Sequence, residues 1–335
     1  MSKTAKQKIL VTGGAGFIGS EFVRQAVHKN YKVVVVDSIT YAGDLSRLND
    51  VKKHIKFYKA DIGNARVMEN IIKKEKPQTI IHFAAETHVD RSIQDAAPFI
   101  DANVIGTQNL VDLARKYNIK KFVHISTDEV YGESQRGRFK ESAPIKPKNP
   151  YSATKAAAEF VVRAAIHTYN FPALVIRPAN NYGPWQYPEK FIPVILLKAL
   201  KGQKIPVYGK GEQIREWLFV ADCADAIHVI LKKGKLGETY NIGSYFEKKN
   251  LITAKSILKL LNKPQNQIQF VKDRPGHDFR YSVDCTKLRN LGWRPKHNFA
   301  KGIGITIDWY MNNLNWLESK KKDLEAHYKK VYKKR

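Results

Sequence analysis

A glycine-rich turn near the start of the chain limits the fold more than any other feature. Lys8 to Thr12 reads as a strand and Phe17 to Asn30 as a helix, joined by Gly13-Gly14-Ala15-Gly16-Phe17-Ile18-Gly19. Gly14, Gly16 and Gly19 fit G-x-G-x-x-G, and Gly13, Gly16 and Gly19 fit G-x-x-G-x-x-G. This spacing serves a tight turn, a close approach of backbone to a pyrophosphate, and close helix–sheet packing. The N-terminus of the helix then faces the phosphates.

The next segments agree with that reading. Lys32 to Asp37 is a nearly all-valine strand, and Asp37 lies about 18 residues beyond Gly19. An acid at that distance suits a ribose 2′-hydroxyl and repels a 2′-phosphate, which favours NAD over NADP. Further apolar strands run over Gln78 to Phe83, Lys121 to Ser126 and Ala173 to Pro178, with helical spacing over Val104 to Tyr117. Strands without polar alternation are buried on both faces, as in a parallel sheet covered by helices. The expected fold is a Rossmann-type doubly wound α/β sheet over 1–178, with later segments near 215–245 returning to it. Beyond Pro178 the pattern breaks at prolines 184, 188, 193 and 206. A smaller C-terminal α/β part over 179–330 is expected there, followed by a Lys-rich tail over 317–335.

Two carboxylates, Asp128 and Glu129, follow the strand that ends at Ser126, within Ser126-Thr127-Asp128-Glu129-Val130-Tyr131-Gly132. Neighbouring acids push their pKa values apart, so one can give a proton while the other takes one. Open parallel sheets bind ligands at the carboxyl ends of their strands, where this pair would stand. Tyr151 and Lys155 are four apart, on one face of a helix over Ser152 to Arg163. A tyrosine needs a nearby cation to act as a base near neutral pH, and Lys155 can supply it. His82, His88 and His124 lack metal-ligand spacing and read as core or near-site residues; no metal is expected.

These motifs resemble an extended short-chain dehydrogenase/reductase, and within that superfamily the dTDP-glucose 4,6-dehydratases. The landmarks are TGGAGFIGS at 12–20, DSITYAG at 37–43, HFAAETHVDRSI at 82–93, STDEVYG at 126–132, YSATKAAAE at 151–159 and NNYGPWQYPEKFIP at 180–193. YGKGEQIREWLFVAD at 208–222, GETYNIG at 237–243 and DRPGHD at 273–278 continue them. The Asp-Glu pair separates dehydratases from epimerases and decarboxylases, which share the glycine loop and the Tyr-x3-Lys pattern.

The resemblance implies a redox-neutral lyase using NAD. Tyr151 and Thr127 would act at the 4-hydroxyl, Glu129 at C5 and Asp128 at the 6-hydroxyl. Lys155 would lower the tyrosine pKa and hold the nicotinamide ribose. It also implies that Gly13, Gly16, Phe17, Ile18, Gly19, Asp37, Ser38, Ile39, Thr40, Asp61, Ile62, Ala84, Ala85, Glu86 and Asn181 line the cofactor site. Ala102 stands where relatives often have threonine. Thr87, Asn180, Lys190, Phe191, Pro206, Tyr208, Arg215, Asn250, Arg274 and His277 match positions that hold the nucleotide sugar. The short segment between Gly132 and Tyr151 is similar to compact relatives, some of which use UDP-glucose. The Gly276-His277 pair favours the dTDP type. A homodimer through the helices after Asn103 and Tyr151 is also implied.

Composition removes other classes. A net charge of +27 invites a polyanion reading, but the excess is lysine scattered over the chain and densest at its end. It reads as solvated surface that favours an anionic small molecule, without nucleic acid as partner. A non-catalytic NAD-binding protein that uses the lysine tail would require all five site residues to be relics. No apolar run reaches the length needed to span a bilayer, and Met1 to Lys8 lacks a signal-peptide core. Two distant cysteines, Cys223 and Cys285, suit reduced thiols in the cytoplasm.

Overall fold

The computed structural model describes residues 6–273 and 275–320. Its strands in chain order are β1 (Lys8–Thr12), β2 (Lys32–Asp37), β3 (Ile55–Lys59), β4 (Thr79–His82), β5 (Lys121–Ile125), β6 (Ala173–Pro178), β7 (Asn180–Tyr182), β8 (Ile205–Tyr208), β9 (Ile214–Phe219), β10 (Thr239–Ile242), β11 (Glu247–Lys249) and β12 (Ile268–Val271).

Seven strands form one parallel sheet in the order β10-β6-β5-β4-β1-β2-β3. The order reverses beside β1: the chain runs outward to β3 and then returns to β4. That switch point opens a crevice at the carboxyl ends of β1 and β4. Successive side chains point to opposite faces. Ile9, Val11, Val33, Val35, Ile81 and Val123 face the helices Phe17–His28 and Val220–Lys233. Leu10, Val36, Ile80, Phe122 and Val175 face the helices Ala65–Glu75, Gly106–Lys116 and Pro150–Tyr169. Both sets are buried, which explains the absence of polar alternation in these strands. Truncating Phe122, fully buried at the sheet centre, to Ala would cost about 3–5 kcal/mol.

The chain after Pro178 builds two small sheets, β11-β9-β7 and β12-β8. Helices Phe191–Leu200, Asn250–Leu260 and Phe299–Asn312 pack on them around Tyr182, Ile195, Trp217, Phe219, Ile257 and Ile303. Residue 240, from the region expected to return, lies in β10 on the edge of the large sheet beside β6.

Two local features differ from the sequence reading. The segment before Gly106 is a π-helical turn, Ile100–Ile105, and not the first part of a regular helix. Its wider turn leaves Asn103 inside, bonded to Glu86 N and O and to Thr154 Oγ1. The Lys-rich segment from residue 317, expected as a solvated tail, is in part packed. Among its described residues, Leu317 is buried and Lys320 pairs with Asp44 at 2.7 Å. No helix of the described residues is long and apolar enough to cross a membrane.

Candidate active site

Three residues of the glycine loop, Gly13, Gly14 and Gly19, have no room for a side chain. Gly13 has φ +69°, and a Cβ there would meet Ala84 N at 2.5 Å. At Gly19 a Cβ would overlap the Gly13 carbonyl. Gly16 differs: a Cβ there would meet only Gly13 O within 4 Å, so its outer side is open. It caps the helix Phe17–His28 without a side-chain bond, leaving the first-turn N–H groups toward the cavity. Asp37, at the end of β2, accepts from Ala15 N at 2.9 Å and Ile39 N at 2.8 Å. These bonds fix its carboxylate beside the loop. Burial raises its pKa, against the pull of the two N–H groups and Arg47.

The second half of the site is built at the end of β5. Thr127 caps a short 3-10 turn, Asp128–Tyr131, by accepting from Glu129 N at 3.3 Å. Its hydroxyl donates to Asp128 Oδ1 at 3.3 Å, while Asp128 Oδ2 is buried without a partner. Asp128 is 2 % exposed, and its pKa is raised well above the usual carboxylate range. Burial is the first cause, followed by Glu129 and Glu216; Arg215 and Thr127 pull the other way. Glu129 is less enclosed and is reached by the Tyr281 hydroxyl at 3.4 Å. The adjacent acids therefore occupy unlike environments, as a proton donor and a proton acceptor require.

Tyr151 and Lys155 sit on the helix Pro150–Tyr169, which starts with Pro at its first turn and a capping box between Asn149 and Ser152. The Lys155 ammonium is buried and donates to the Ile125 carbonyl at 2.7 Å. Burial lowers its pKa to about 8, with Glu159 opposing. Tyr151 is pushed above its ordinary value by burial and Glu129, while a hydrogen bond with Thr127 favours its ionised form. Sequence reasoning expected Lys155 to lower the tyrosine. The structure places Lys155 one helical turn from Tyr151 on the same cavity wall, with its ammonium bonded to the Ile125 carbonyl at the end of β5.

One cavity of about 580 Å³ joins the two halves. Gly13, Gly16, Phe17, Ile18, Gly19, Asp37, Ser38, Thr40, Asp61, Ile62, Ala84, Ala85 and Glu86 line one part of its wall. Thr87, Thr127, Asp128, Glu129, Tyr151, Lys155, Asn180, Asn181 and Lys190 line the rest, and Ala102 lies among them. The buried Ser126 Oγ, Asn180 Oδ1 and Asn181 Oδ1 on this wall have no protein partner.

Seven expected residues lie off that wall. Ile39 has φ +53° and packs against the sheet core. Phe191 stacks on Trp217, with ring centroids 6.2 Å apart. Pro206 and Tyr208 belong to β8, and the Tyr208 hydroxyl donates to Asp90 at 3.2 Å. Arg215 donates to the carbonyls of Ile214, Phe279 and Asp278 and lies 4.4 Å from the Tyr281 ring. Asn250 begins a helix, and His277 pairs with Asp273 at 2.6 Å. Arg274 lies outside the described residues. His82 is a core residue bonded to Thr12 and Thr107, and His124 is buried beside it.

Sequence reasoning missed three residues of this region. Arg47 and Glu189 line the cavity, and Tyr281 reaches Glu129. Arg47 and Tyr281 carry no motif signal; Glu189 lies inside the NNYGPWQYPEKFIP landmark but was not singled out.

The model of the GDP-mannose 4,6 dehydratase family matches residues 10–306. A dTDP-glucose 4,6-dehydratase of Xanthomonas campestris is 45% identical over 332 residues, covering 92% of this chain and 94% of that protein. The solved structure of DesIV, a dTDP-glucose 4,6-dehydratase from Streptomyces venezuelae with NAD bound, superposes with TM-score 0.90 at 42% identity, covering 92% and 98% of the two chains. A UDP-glucose 4-epimerase from Thermus thermophilus, in complex with NAD, also superposes, with TM-score 0.86 at 30% identity over 92% and 100%. The fold is thus shared with epimerases. The chain belongs to the GDP-mannose 4,6 dehydratase family, and within it groups with the dTDP-glucose 4,6-dehydratases.

Proposed function

We propose that the protein is an NAD-dependent hydro-lyase that converts dTDP-glucose to dTDP-4-keto-6-deoxyglucose. The observation that carries this reading is the facing of Thr127, Asp128 and Glu129 with Tyr151 and Lys155 in one cavity that begins at the glycine loop. An epimerase needs the tyrosine and lysine; only an elimination needs two further carboxyl groups with opposed proton preferences.

The cavity fits a dinucleotide. The open side of Gly16 and the exposed helix start suit a pyrophosphate, and Asp37 suits a ribose diol. Ser126 and Asn181 offer unpartnered polar atoms farther along the wall. Bound there, NAD supplies the acceptor for the C4 hydride and the donor of hydride to C6.

The chain's own residues move the protons. Tyr151 takes the proton of the 4-hydroxyl, and Thr127 hydrogen-bonds the same oxygen. The resulting ketone acidifies C5; Glu129 removes its proton and returns one to C5 when hydride reaches C6. Asp128, whose protonated form burial favours, protonates the departing 6-hydroxyl, which leaves as water. Lys155 supplies positive charge beside the tyrosine. Thr87, Asn180 and Lys190 are the wall residues that we assign to the sugar nucleotide. Of the residues off the wall, Pro206, Tyr208, Arg215, Asn250 and His277 are assigned to the nucleotide end.

We further read the protein as a cytoplasmic homodimer. Ile100, Ile105 and Phe160 are 47 %, 50 % and 53 % exposed on two helical segments that pack together, which suits a second copy. Cys223 and Cys285 are buried and unpaired, which suits a reducing compartment.

Product analysis with dTDP-glucose and UDP-glucose side by side tests the function. The expected result is a 4-keto-6-deoxy product, formed faster from dTDP-glucose and without net accumulation of reduced cofactor. Recovery of unchanged sugar or of a 4-epimer overturns the reading. Faster turnover of UDP-glucose transfers it to that nucleotide.

A further inference from the structure

A buried cluster at the cavity wall plays no part in the proton transfers. Its centre is Arg47, which is 1 % exposed and sits in the short turn Leu45–Leu48. Its guanidinium donates to the carbonyl of Ala15 at 2.8 Å, to that of Ala42 at 2.6 Å, and twice to that of Trp185 at 3.1 and 2.9 Å. The three carbonyls belong to the glycine loop, to the segment after β2 and to the segment after β7. One side chain thus ties together three stretches that wall the cavity. The rigid fork of a guanidinium can span them; an ammonium cannot.

Trp185 is held in an unusual backbone conformation. Its φ of +68° is one that a bulky residue adopts only when its surroundings enforce it. Arg47 holds its carbonyl, and its ring packs on Trp309 at 4.5 Å and Trp316 at 5.4 Å. Trp309 lies on the helix Phe299–Asn312 and Trp316 on the short helix Leu314–Ser319.

Trp316 also reaches the turn that carries Arg47. Its Nε1 donates to Asp44 Oδ2 at 2.7 Å, and Lys320 meets the same oxygen at 2.7 Å. The other Asp44 oxygen accepts from Ser46 N at 2.9 Å and so caps the turn. The Arg47 guanidinium lies 5.8 Å from the Trp316 ring. The Tyr310 hydroxyl donates to Gln186 O at 2.5 Å, and the Gln186 amide donates to Asn181 O at 2.8 Å, which anchors the wall segment after β7 from the same side.

We propose that Arg47 is a positioning residue for the dinucleotide cavity and that Trp316 is its latch. The segment Leu314–Ser319 fixes Asp44, Asp44 fixes the turn, and Arg47 sets the spacing of the three walls. The device governs the grip on the cofactor and leaves the chemical step alone. It rests on the reading of the cavity as an NAD site.

Calorimetric titration of the cofactor-stripped, full-length protein with NAD tests it, beside steady-state kinetics at saturating NAD. Trp316→Phe keeps the ring but cannot donate to Asp44, and Arg47→Lys cannot span three carbonyls. NAD binding should weaken about tenfold in Trp316→Phe and about a hundredfold in Arg47→Lys, the range for bonds to charged groups. In the double variant the Trp316 change should add less than it does alone, because both act through one element. The kcat of Trp316→Phe at saturating NAD should stay within about twofold of the parent. Asp44→Asn, which keeps an acceptor for Ser46, tests the same link should Trp316→Phe fail to fold. Unchanged NAD affinity in the folded latch variants overturns the proposal, as does a fall in kcat with affinity intact. Failure of the parent protein to bind NAD overturns the cofactor reading and this proposal with it.

Discussion

The Tyr281 hydroxyl lies 3.4 Å from Glu129 Oε2 and belongs to a chain segment 152 residues away in sequence. It also lies 2.5 Å from Asp278 Oδ2, and its ring is covered by the Arg215 guanidinium at 4.4 Å. The carboxylate assigned to C5 is therefore held by the half of the protein that is assigned to the nucleotide. A phenol has one proton: burial raises the Asp278 pKa, and with Asp278 protonated and donating to the phenol oxygen, the Tyr281 proton goes to Glu129, aims its carboxylate and lowers the cost of its charge. Tyr281 itself is pushed well above its ordinary pKa by burial and Glu129, so it stays a donor throughout the neutral range.

Tyr281→Phe should therefore act on one step. The ring and its contact with Arg215 remain, and only the bond to Glu129 and Asp278 is lost. Solvent-deuterium exchange at C5 should slow about tenfold, equivalent to about 1.4 kcal/mol, while the KM for the sugar nucleotide changes little. Mass spectrometry of the product with time measures the exchange. An unaltered exchange rate would remove Tyr281 from the account.

Glu129→Gln is the stronger intervention at the same place. The amide keeps the shape and cannot take the C5 proton. Turnover should fall by about a hundredfold or more, and C5 exchange should stop. Oxidation at C4 should persist in part, visible as a slow rise in reduced-nicotinamide absorbance on mixing enzyme and substrate. Normal turnover in this variant would mean that another group is the base.

The Asp128 assignment makes a prediction about pH and stability. Its folded-state pKa is raised well above the unfolded value, chiefly by burial. The folded protein therefore binds this proton more tightly, and the resulting stabilisation is full below the ordinary carboxylate range. It is lost as pH rises through the raised folded value. Asp128→Asn removes the titration. This variant should gain stability relative to the parent at pH 8 and show no such gain at pH 4. It should also lose about a hundredfold in turnover. Denaturant unfolding at the two pH values gives the difference directly.

The parts that sequence reading found are those in which neighbours along the chain do the work. Gly13, Gly16 and Gly19 share one turn, Thr127 to Glu129 are consecutive, and Tyr151 and Lys155 lie one helical turn apart. The strands of the large sheet are legible because burial on both faces leaves uninterrupted apolar runs. Arg47 was not legible. Its partners, Ala15 and Trp185, lie 32 and 138 residues away, and the bonds go to carbonyls that any sequence supplies. The helix Leu314–Ser319 was hidden for a related reason. It adjoins a lysine run, and its attachment depends on Trp316 meeting Asp44 across 272 residues. The same holds for Ile39 and Phe191: each lies next to a wall segment in sequence, yet its side chain turns into packing.

Lys155 brings catalysis and stability into conflict. Its folded-state pKa, about 8, lies below the ordinary lysine value, with burial as the main cause. Below pH 8 the folded protein carries a buried charge that the unfolded chain holds in water, so the site costs stability in full there. The cost is relieved as pH rises from about 8 toward the unfolded value. A difference of about two and a half pKa units corresponds to about 3 kcal/mol at pH 7. Lys155→Met removes that cost but leaves the Ile125 carbonyl without its 2.7 Å donor, which returns about 1–2 kcal/mol. The variant should therefore be more stable than the parent at pH 7 by about 1–2 kcal/mol, and the margin should vanish or reverse near pH 10. Its turnover should fall by about a hundredfold or more, because Tyr151 is pushed up by burial and Glu129 and would lose the one cation assigned to it. Unfolding curves at the two pH values, set beside initial rates, decide the matter; a variant destabilised at pH 7 would show that the bond to Ile125 outweighs the buried charge.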